Sequence, residues 1–255
     1  MKYIIANWKM NPVRAEEAVK LARAVSKVKH GRNVRVVLCA PFPYLSNLKF
    51  RTSNPSLGAQ DVFWENAGAY TGEISPVMLK NSGVEYVIIG HSERRQYLKE
   101  TDEMVAKKVK AAVGQGLKAV LCVGETWDVR KKGGAAVRAF VKRQLAACLK
   151  NVSRLAASNL KPKTSNLFVV YEPTWAISTS AVHRACDADE AERMVRFVVS
   201  CVAGLGFKNA VGIYGGSVNG KNAGSYLSRE GIDGVLPGAA SLDAGKFAKI
   251  IEAAG

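Results

Sequence analysis

The stretch that decides the fold is VVYEPTWAI, residues 169–177. Three β-favouring residues end in a carboxylate, Glu172, and Pro173 then prevents the continuation of a central strand. A carboxylate at the carboxyl end of a strand, followed by a loop with the aromatic anchor Trp175, is typical of a general base beside a closing lid. The stretch therefore indicates an enzyme built on parallel strands.

Three other segments have the same form, a strand that ends in polar residues or glycines. They are YIIANWK at 3–9, YVIIGHSE at 86–93 and VGIYGGS at 211–217. Polar groups at four separate strand ends favour an active site over four unrelated surface positions, although each residue alone has an ordinary structural explanation.

Short apolar runs alternate with amphipathic helices along the whole chain. Helical patterns begin near Glu16, at Asp102 and at Asp187, where acidic residues occupy the first turn. A polar connection at 153–165 precedes the sixth strand. The predicted strands are 2–7, 34–39, 56–60, 85–89, 117–122, 166–171, 210–214 and 232–236. Eight such repeats predict an α/β fold, a closed (β/α)8 barrel with a parallel eight-stranded core. A doubly wound open sheet is the alternative, disfavoured because no Gly-x-Gly-x-x-Gly follows the first strand.

Composition limits the class of protein. The chain has 255 residues, of which 48% are hydrophobic and 23% charged, which predicts one catalytic domain over 1–255. No signal peptide or membrane span is expected, and the five scattered cysteines indicate reduced thiols in a cytoplasmic protein. The sequence carries no metal signature and calls for no cofactor.

The chain is strongly basic, with 37 Lys and Arg against 21 Asp and Glu and a net charge of +16. Such a surface steers anionic substrates or binds nucleic acid. The basic runs at 107–110, 130–132 and 142–143 are interpreted as solvated helix or loop faces. A nucleic-acid partner is therefore disfavoured.

The carboxyl ends of the predicted barrel strands collect the candidate site. Asn7 and Lys9 follow strand 1, His91 follows strand 4 and Glu172 follows strand 6. Glycine-rich turns follow the last two strands, at 215–217 and 238–239, and offer backbone N–H groups to a phosphate. A lysine, a histidine and a carboxylate facing such a cradle suit proton transfer next to a carbonyl of a small phosphorylated substrate.

Eight motifs in this order resemble those of the triosephosphate isomerase family from residue 1 to the C-terminal helix. They are NWKMN at 7–11, GAQD at 58–61, AYTGEIS at 69–75, GHSERR at 90–95, LCVGE at 121–125, YEPTWAI at 171–177, YGGSV at 214–218 and GAASL at 238–242. The resemblance implies the interconversion of dihydroxyacetone phosphate and glyceraldehyde 3-phosphate through an enediolate. This interconversion is a step of both glycolysis and gluconeogenesis.

The resemblance also implies the role of each residue. Glu172 is the base, and His91 is a neutral electrophile. Lys9 neutralises negative charge, Asn7 adds a donor, and Glu93 positions Lys9. The residues expected to bind substrate are Asn7, Lys9, Ser178, Ser217, Gly216, Gly238 and Ala239, while Trp175 anchors the lid.

The family is typically a homodimer. In this chain the resemblance implies an interface through the loop Gln60–Glu73, with Thr71 reaching Asn7 of the partner subunit. Glu73 is expected to pair with Arg94 across the interface.

The chain departs from the family in its lid, where Ser178, Ser180 and Ala181 replace the usual glycines and lysine. Altered lid kinetics with retained chemistry are expected. In the last turn Ala239 replaces a frequent glycine, and Pro237 precedes it.

Two other functions remain open from the sequence. One is a phosphate-binding barrel that acts on a sugar or amino-sugar phosphate, which is hard to reconcile with eight matching motifs. The other is a basic binding protein that has kept the barrel and lost efficient catalysis. The retention of Lys9, His91 and Glu172 argues against it, because a binding module needs neither a base nor an electrophile.

Overall fold

The protein forms a closed barrel of parallel strands. The computed structural model describes residues 1–48, 54–152, 167–177, 180–182 and 184–255. Each strand pairs with the next, and the eighth closes on the first, at Ile4 opposite Val235. The strands are β1 (Lys2–Asn7), β2 (Val34–Cys39), β3 (Ser56–Ala59), β4 (Tyr86–Ile89), β5 (Lys118–Val123), β6 (Leu167–Tyr171), β7 (Val211–Tyr214) and β8 (Gly234–Val235). The predicted (β/α)8 class is confirmed.

Alternation along the strands divides the core into two layers. In β1, Ile5 points into the barrel, whereas Ile4 and Ala6 pack outward against the helices. A strand places successive side chains on opposite faces, so a strand buried on both faces must be apolar throughout. The near-continuous apolar runs of the sequence follow from this double burial.

Five of the nine helices in the described part of the chain follow a residue whose side chain accepts a backbone N–H group of the first turn. Thr101 accepts from Met104, and Asp187 accepts from Glu190. Such caps satisfy N–H groups that lack a partner in the first turn. In the described part of the chain the helices are α1 (Ala15–Val25), α2 (Pro76–Asn81), α3 (Ser92–Tyr97), α4 (Asp102–Gly114), α5 (Trp127–Arg130), α6 (Gly134–Cys148), α7 (Ala188–Gly204), α8 (Ala223–Leu227) and α9 (Ala244–Glu252). None of them is long and apolar enough to cross a membrane.

Most predicted boundaries are within one or two residues of the observed ones, and two differ in an informative way. The eighth strand is only two residues long, although the next residue, Leu236, is buried and its N–H still donates to the Tyr214 carbonyl of β7 at 2.9 Å. Asp187 is the cap of α7 and not its first residue. The connection predicted at 153–165 lies outside the described residues.

The interpretation of the basic runs as solvated faces is wrong at Lys108 and Arg130. Lys108 is 2% exposed and donates to both carboxylate oxygens of Asp61, at 2.8 and 2.7 Å, as well as to Glu100. It lies three residues after the buried Val105, on the same stripe of α4. Arg130 is partly buried, with its guanidinium carbon 5.0 Å from the centroid of the Trp175 ring. Lys142 and Arg143 are exposed, as expected.

The structure agrees with the prediction of reduced thiols. Four cysteines are buried, Cys201 is partly exposed, and all five are free thiols.

Candidate active site

The carboxyl ends of the strands surround a cavity of about 270 Å³. Asn7 ends β1, His91 lies between β4 and α3, and Glu172 follows β6 directly. The predicted residues that line the cavity are Asn7, Lys9, His91, Glu172, Gly216, Ser217, Gly238 and Ala239. Glu93 touches Lys9 behind them, and Ser178 lies outside the described residues. A cavity of this size suits a substrate of a few carbon atoms.

Glu172 is held by three donors in a nearly dry position, with its side chain 3% exposed. Its Oε1 accepts from the Ser92 hydroxyl at 2.9 Å and lies 2.8 Å from His91 Nε2, while Oε2 accepts the Ser92 N–H at 3.0 Å. Burial raises the pKa of Glu172, but His91 and the two Ser92 donors outweigh it, and the net direction is downward. The carboxylate is therefore stored in its charged form.

The bonding of His91 indicates a neutral imidazole. Its Nδ1 accepts the backbone N–H of Glu93 at 3.2 Å, which leaves no lone pair there for a proton. Nε2 then carries the hydrogen and donates it to Glu172. Burial lowers the pKa of His91 and the Glu172 carboxylate raises it, with a net upward direction while that carboxylate stays at 2.8 Å. The Nδ1 bond is to a backbone N–H and does not involve Glu172, so the geometry assigns the neutral form.

Lys9 has a strained backbone held by two amides. Its φ is +53°, a conformation that L-residues other than glycine seldom adopt. Asn7 Oδ1 accepts the Lys9 N–H at 3.0 Å, and Gln60 Nε2 donates to the Lys9 carbonyl at 2.8 Å. The Lys9 ammonium lies 2.5 Å from Glu93 Oε1. Glu93 is therefore placed where it can orient Lys9.

Two glycine-rich turns form the wall expected to bind phosphate. A Cβ on Gly216 would lie 2.1 Å from the Tyr214 hydroxyl, and Gly238 lies close beside Lys9. Not every N–H of these turns faces the cavity. Those of Gly215 and Ser217 donate to the carbonyls of Tyr171 and Ala176, both at 2.9 Å. The Ser217 N–H is thus bonded to the segment that leads into the lid.

That segment is anchored on a buried carboxylate that sequence reasoning missed. Trp175 sits in a 3-10 turn (Thr174–Ala176), and its indole N–H donates to Glu125 Oε1 at 2.7 Å. The Tyr171 hydroxyl donates to the same oxygen at 3.1 Å. Glu125 is fully buried after β5, at the end of the quoted motif LCVGE.

Ser92 and Gln60 were also missed. Gln60 directly follows the last residue of β3, and Ser92 directly follows His91, so their positions in the motifs quoted above were a usable signal. Their partners, Glu172 and the Lys9 backbone, are 80 and 51 residues away along the chain.

The chain is similar to known proteins over nearly its whole length. The family model described as triosephosphate isomerase matches residues 2–254. The triosephosphate isomerase of Thermoanaerobacter pseudethanolicus is 44% identical over 253 residues, which cover 97% of each chain. Those of Alkaliphilus oremlandii and Gloeobacter violaceus are 42% and 40% identical, and the matches cover 97% and 98% of this chain and 97% of each relative.

Proposed function

The chain belongs to the triosephosphate isomerase family, and from this premise we propose how its residues carry out the reaction. The enzyme is an aldose–ketose isomerase that interconverts glyceraldehyde 3-phosphate and dihydroxyacetone phosphate, a step of glycolysis and gluconeogenesis. The proposal concerns the residues, the lid and the assembly.

Glu172 is the base that moves a proton between the two substrate carbons. While Ser92 and His91 hold its carboxylate, the lowered pKa makes it a weak base. To reach a substrate carbon, the carboxylate must exchange the two Ser92 donors for the substrate. The loss of these hydrogen bonds in a dry cavity raises its pKa toward the range of an effective general base.

His91 and Asn7 stabilise the charge that develops on the substrate oxygens. Nε2–H of His91 points at the carboxylate of Glu172 and so is aimed into the space where the reacting carbons must lie. A neutral imidazole donates this hydrogen without becoming a strong acid. Lys9, oriented by Glu93, supplies a positive charge to the enediolate and the phosphate.

The phosphate binds between the turns at 215–217 and 238–239, and the lid closes over it. The Ser217 N–H, now bonded to the Ala176 carbonyl, becomes available when the lid segment moves. Closure of the lid then adds a donor to the phosphate and excludes water from the enediolate. Restoring glycine at positions 178 and 180 and measuring turnover tests the expectation that the serines change the rate of this movement.

The observation that carries the residue assignment is the buried contact of Glu172 with His91 and Ser92 beside the cavity. The test is Glu172→Gln, which keeps the shape and removes the base. Turnover of glyceraldehyde 3-phosphate should fall by about 10²–10⁴-fold. Glu16→Gln on the exposed side of α1 is the control and should turn over normally. Retention of more than a tenth of the activity by Glu172→Gln would assign the base elsewhere.

The active form is a cytoplasmic homodimer of one-domain subunits, joined through the loop Gln60–Glu73. Six large apolar side chains are exposed among the described residues between positions 10 and 98, one of them, Tyr70, in the loop itself, and such exposure supports an interface. They are Met10, Val13, Tyr70, Met78, Tyr97 and Leu98. Arg94 bonds Asp61 and Glu100 in its own chain and keeps 30% of its side chain exposed for a partner.

Thr71, exposed at the tip of this loop, would then reach Asn7 of the partner subunit. Thr71→Trp should lower both the molar mass measured by light scattering and kcat, whereas Thr71→Ser should change neither. A monomeric mass for the unmodified chain would exclude the dimer.

A further inference from the structure

The segment Arg184–Asp187, which leads from the lid into α7, is held by residues of the short helices α5 and α8. We propose that Trp127, Arg184 and Tyr226 fix this second end of the lid and are positioning residues for the isomerase reaction. The inference rests on the proposed closure of the lid. None of the three is among the described residues that line the cavity, so they act through the lid and not on the substrate.

The first contact joins Arg184 to α5. The guanidinium carbon of Arg184 lies 4.9 Å from the centroid of the Trp127 ring, within the range of a cation–π interaction. Trp127 in turn packs at 6.0 Å from Trp175, over which Arg130 lies. The two ends of the lid are thus bound to α5 by reciprocal Arg–Trp pairs, one on each end.

The second contact joins Cys186 to the end of β7. The Tyr226 hydroxyl donates to the Cys186 carbonyl at 2.7 Å, and both residues are buried. The Tyr226 ring stacks on Tyr214 with centroids 4.4 Å apart. Tyr214 directly precedes the glycine turn at 215–217. The second end of the lid is therefore tied to the strand that carries the phosphate-binding turn.

Together with the bond of Trp175 to Glu125, these contacts hold both ends of the lid. A loop whose ends are fixed has fewer conformations to lose when it closes on a ligand. Loosening the second end should therefore weaken whatever binds by closing the lid. The barrel should stay folded in both variants used below, because Arg184 is exposed and Tyr226→Phe keeps the ring that stacks on Tyr214.

The test uses Arg184→Leu and Tyr226→Phe, each of which removes one contact and keeps the bulk of the side chain. Arg196→Leu is the control for the arginine, since its guanidinium bonds Glu192 on α7 and contacts neither tryptophan. Tyr44→Phe is the control for the tyrosine, because Tyr44 follows β2, across the barrel from β6. The measurements are kcat and KM, the affinity for 2-phosphoglycolate by calorimetry, and the thermal midpoint. 2-Phosphoglycolate carries the charges of the enediolate phosphate.

We expect each of the two variants to lose about two- to five-fold in kcat/KM and in affinity for 2-phosphoglycolate. The thermal midpoint should be unchanged in Arg184→Leu, whose side chain is exposed, and lower in Tyr226→Phe, which leaves the buried Cys186 carbonyl without its donor. Unchanged or tighter binding in either variant would overturn the inference, as would a loss that is matched by the controls or a lower midpoint in Arg184→Leu. Calorimetry does not depend on turnover. If Glu172→Gln kept its activity while these variants still bound more weakly, the base assignment would fail and the lid inference would stand.

Discussion

Replacing Lys108 by methionine should destabilise the protein strongly, because it removes the centre of a buried ionic cluster. The Lys108 side chain is 3% exposed, and those of Asp61 and Glu100 are 6% and 1% exposed. Methionine fills a similar volume without a charge and leaves two buried carboxylates with one fewer cation. Breaking a buried pair from one side costs about 3–5 kcal/mol.

The structure places the expected loss near the lower limit of that range. Arg94 still lies 2.8 Å from Asp61 and 2.6 Å from Glu100, so both carboxylates keep one cationic partner. We therefore expect about 3 kcal/mol less free energy of unfolding at about pH 8. The matched control is Lys107→Met. Lys107 is exposed over the Trp64 ring at 5.1 Å, and its replacement should cost less than about 1 kcal/mol.

The loss should also depend on pH. Burial raises the pKa of Asp61 to about 6, above its ordinary value, and the loss of Lys108 moves it further upward. Burial opposes ionisation of Glu100 as well, but Lys108 and Arg94 hold its pKa below the usual range. In Lys108→Met the pKa of Glu100 should therefore rise. A group with a raised folded-state pKa favours the folded state below that pKa and loses this contribution as pH increases. The deficit of Lys108→Met should therefore shrink between about pH 8 and pH 5.

Urea unfolding followed by circular dichroism, at one protein concentration, measures both the size and the pH dependence of this loss. A deficit below about 1 kcal/mol, or one that is equal at both pH values, would refute the account of Lys108 as the centre of the cluster.

Two further predictions concern Glu172. A Cβ at Gly124 would lie 1.9 Å from the Glu172 carbonyl oxygen, so Gly124→Ala must displace the backbone of this proposed base. Gly124→Ala should lower kcat by about 10²-fold. The control is Gly114→Ala, which should have a normal kcat because no atom lies within 4 Å of the new Cβ. A normal kcat in Gly124→Ala would contradict the close approach. Ser92→Ala removes the hydroxyl donor to Oε1 and should raise the pKa of Glu172, which moves the acid limb of kcat/KM to higher pH. A pH profile identical to that of the unmodified enzyme would show that this hydroxyl does not set the charge of the base.

The barrel could be predicted from local patterns because its strands are buried on both faces. An apolar run such as the one before Glu172 needs no partner to be recognised, and the polar residue that ends it marks the carboxyl edge of the sheet. Lys9, His91 and Glu172 were predicted in this way, and the structure places all three around one cavity.

The partners of these residues could not be predicted in the same way. Lys108 belongs to a basic run, and although its spacing from Val105 places it on the buried stripe of α4, only the fold shows that Asp61 and Glu100 meet it there. Glu125 could not be predicted for the same reason. It acts by accepting the indole N–H of Trp175, which is 50 residues away along the chain.

The sequence by itself therefore determined the barrel, the strand ends and the chemical types gathered at them. The tertiary structure alone decided which hydrogen bonds store Glu172 as a carboxylate, which tautomer His91 adopts, and which side chains contact the segments on either side of residues 178–183. The physical reason is distance along the chain. Strand and helix patterns arise from neighbours a few residues apart, whereas the electrostatics of the site arise when closure of the barrel brings together residues 50 to 80 positions apart.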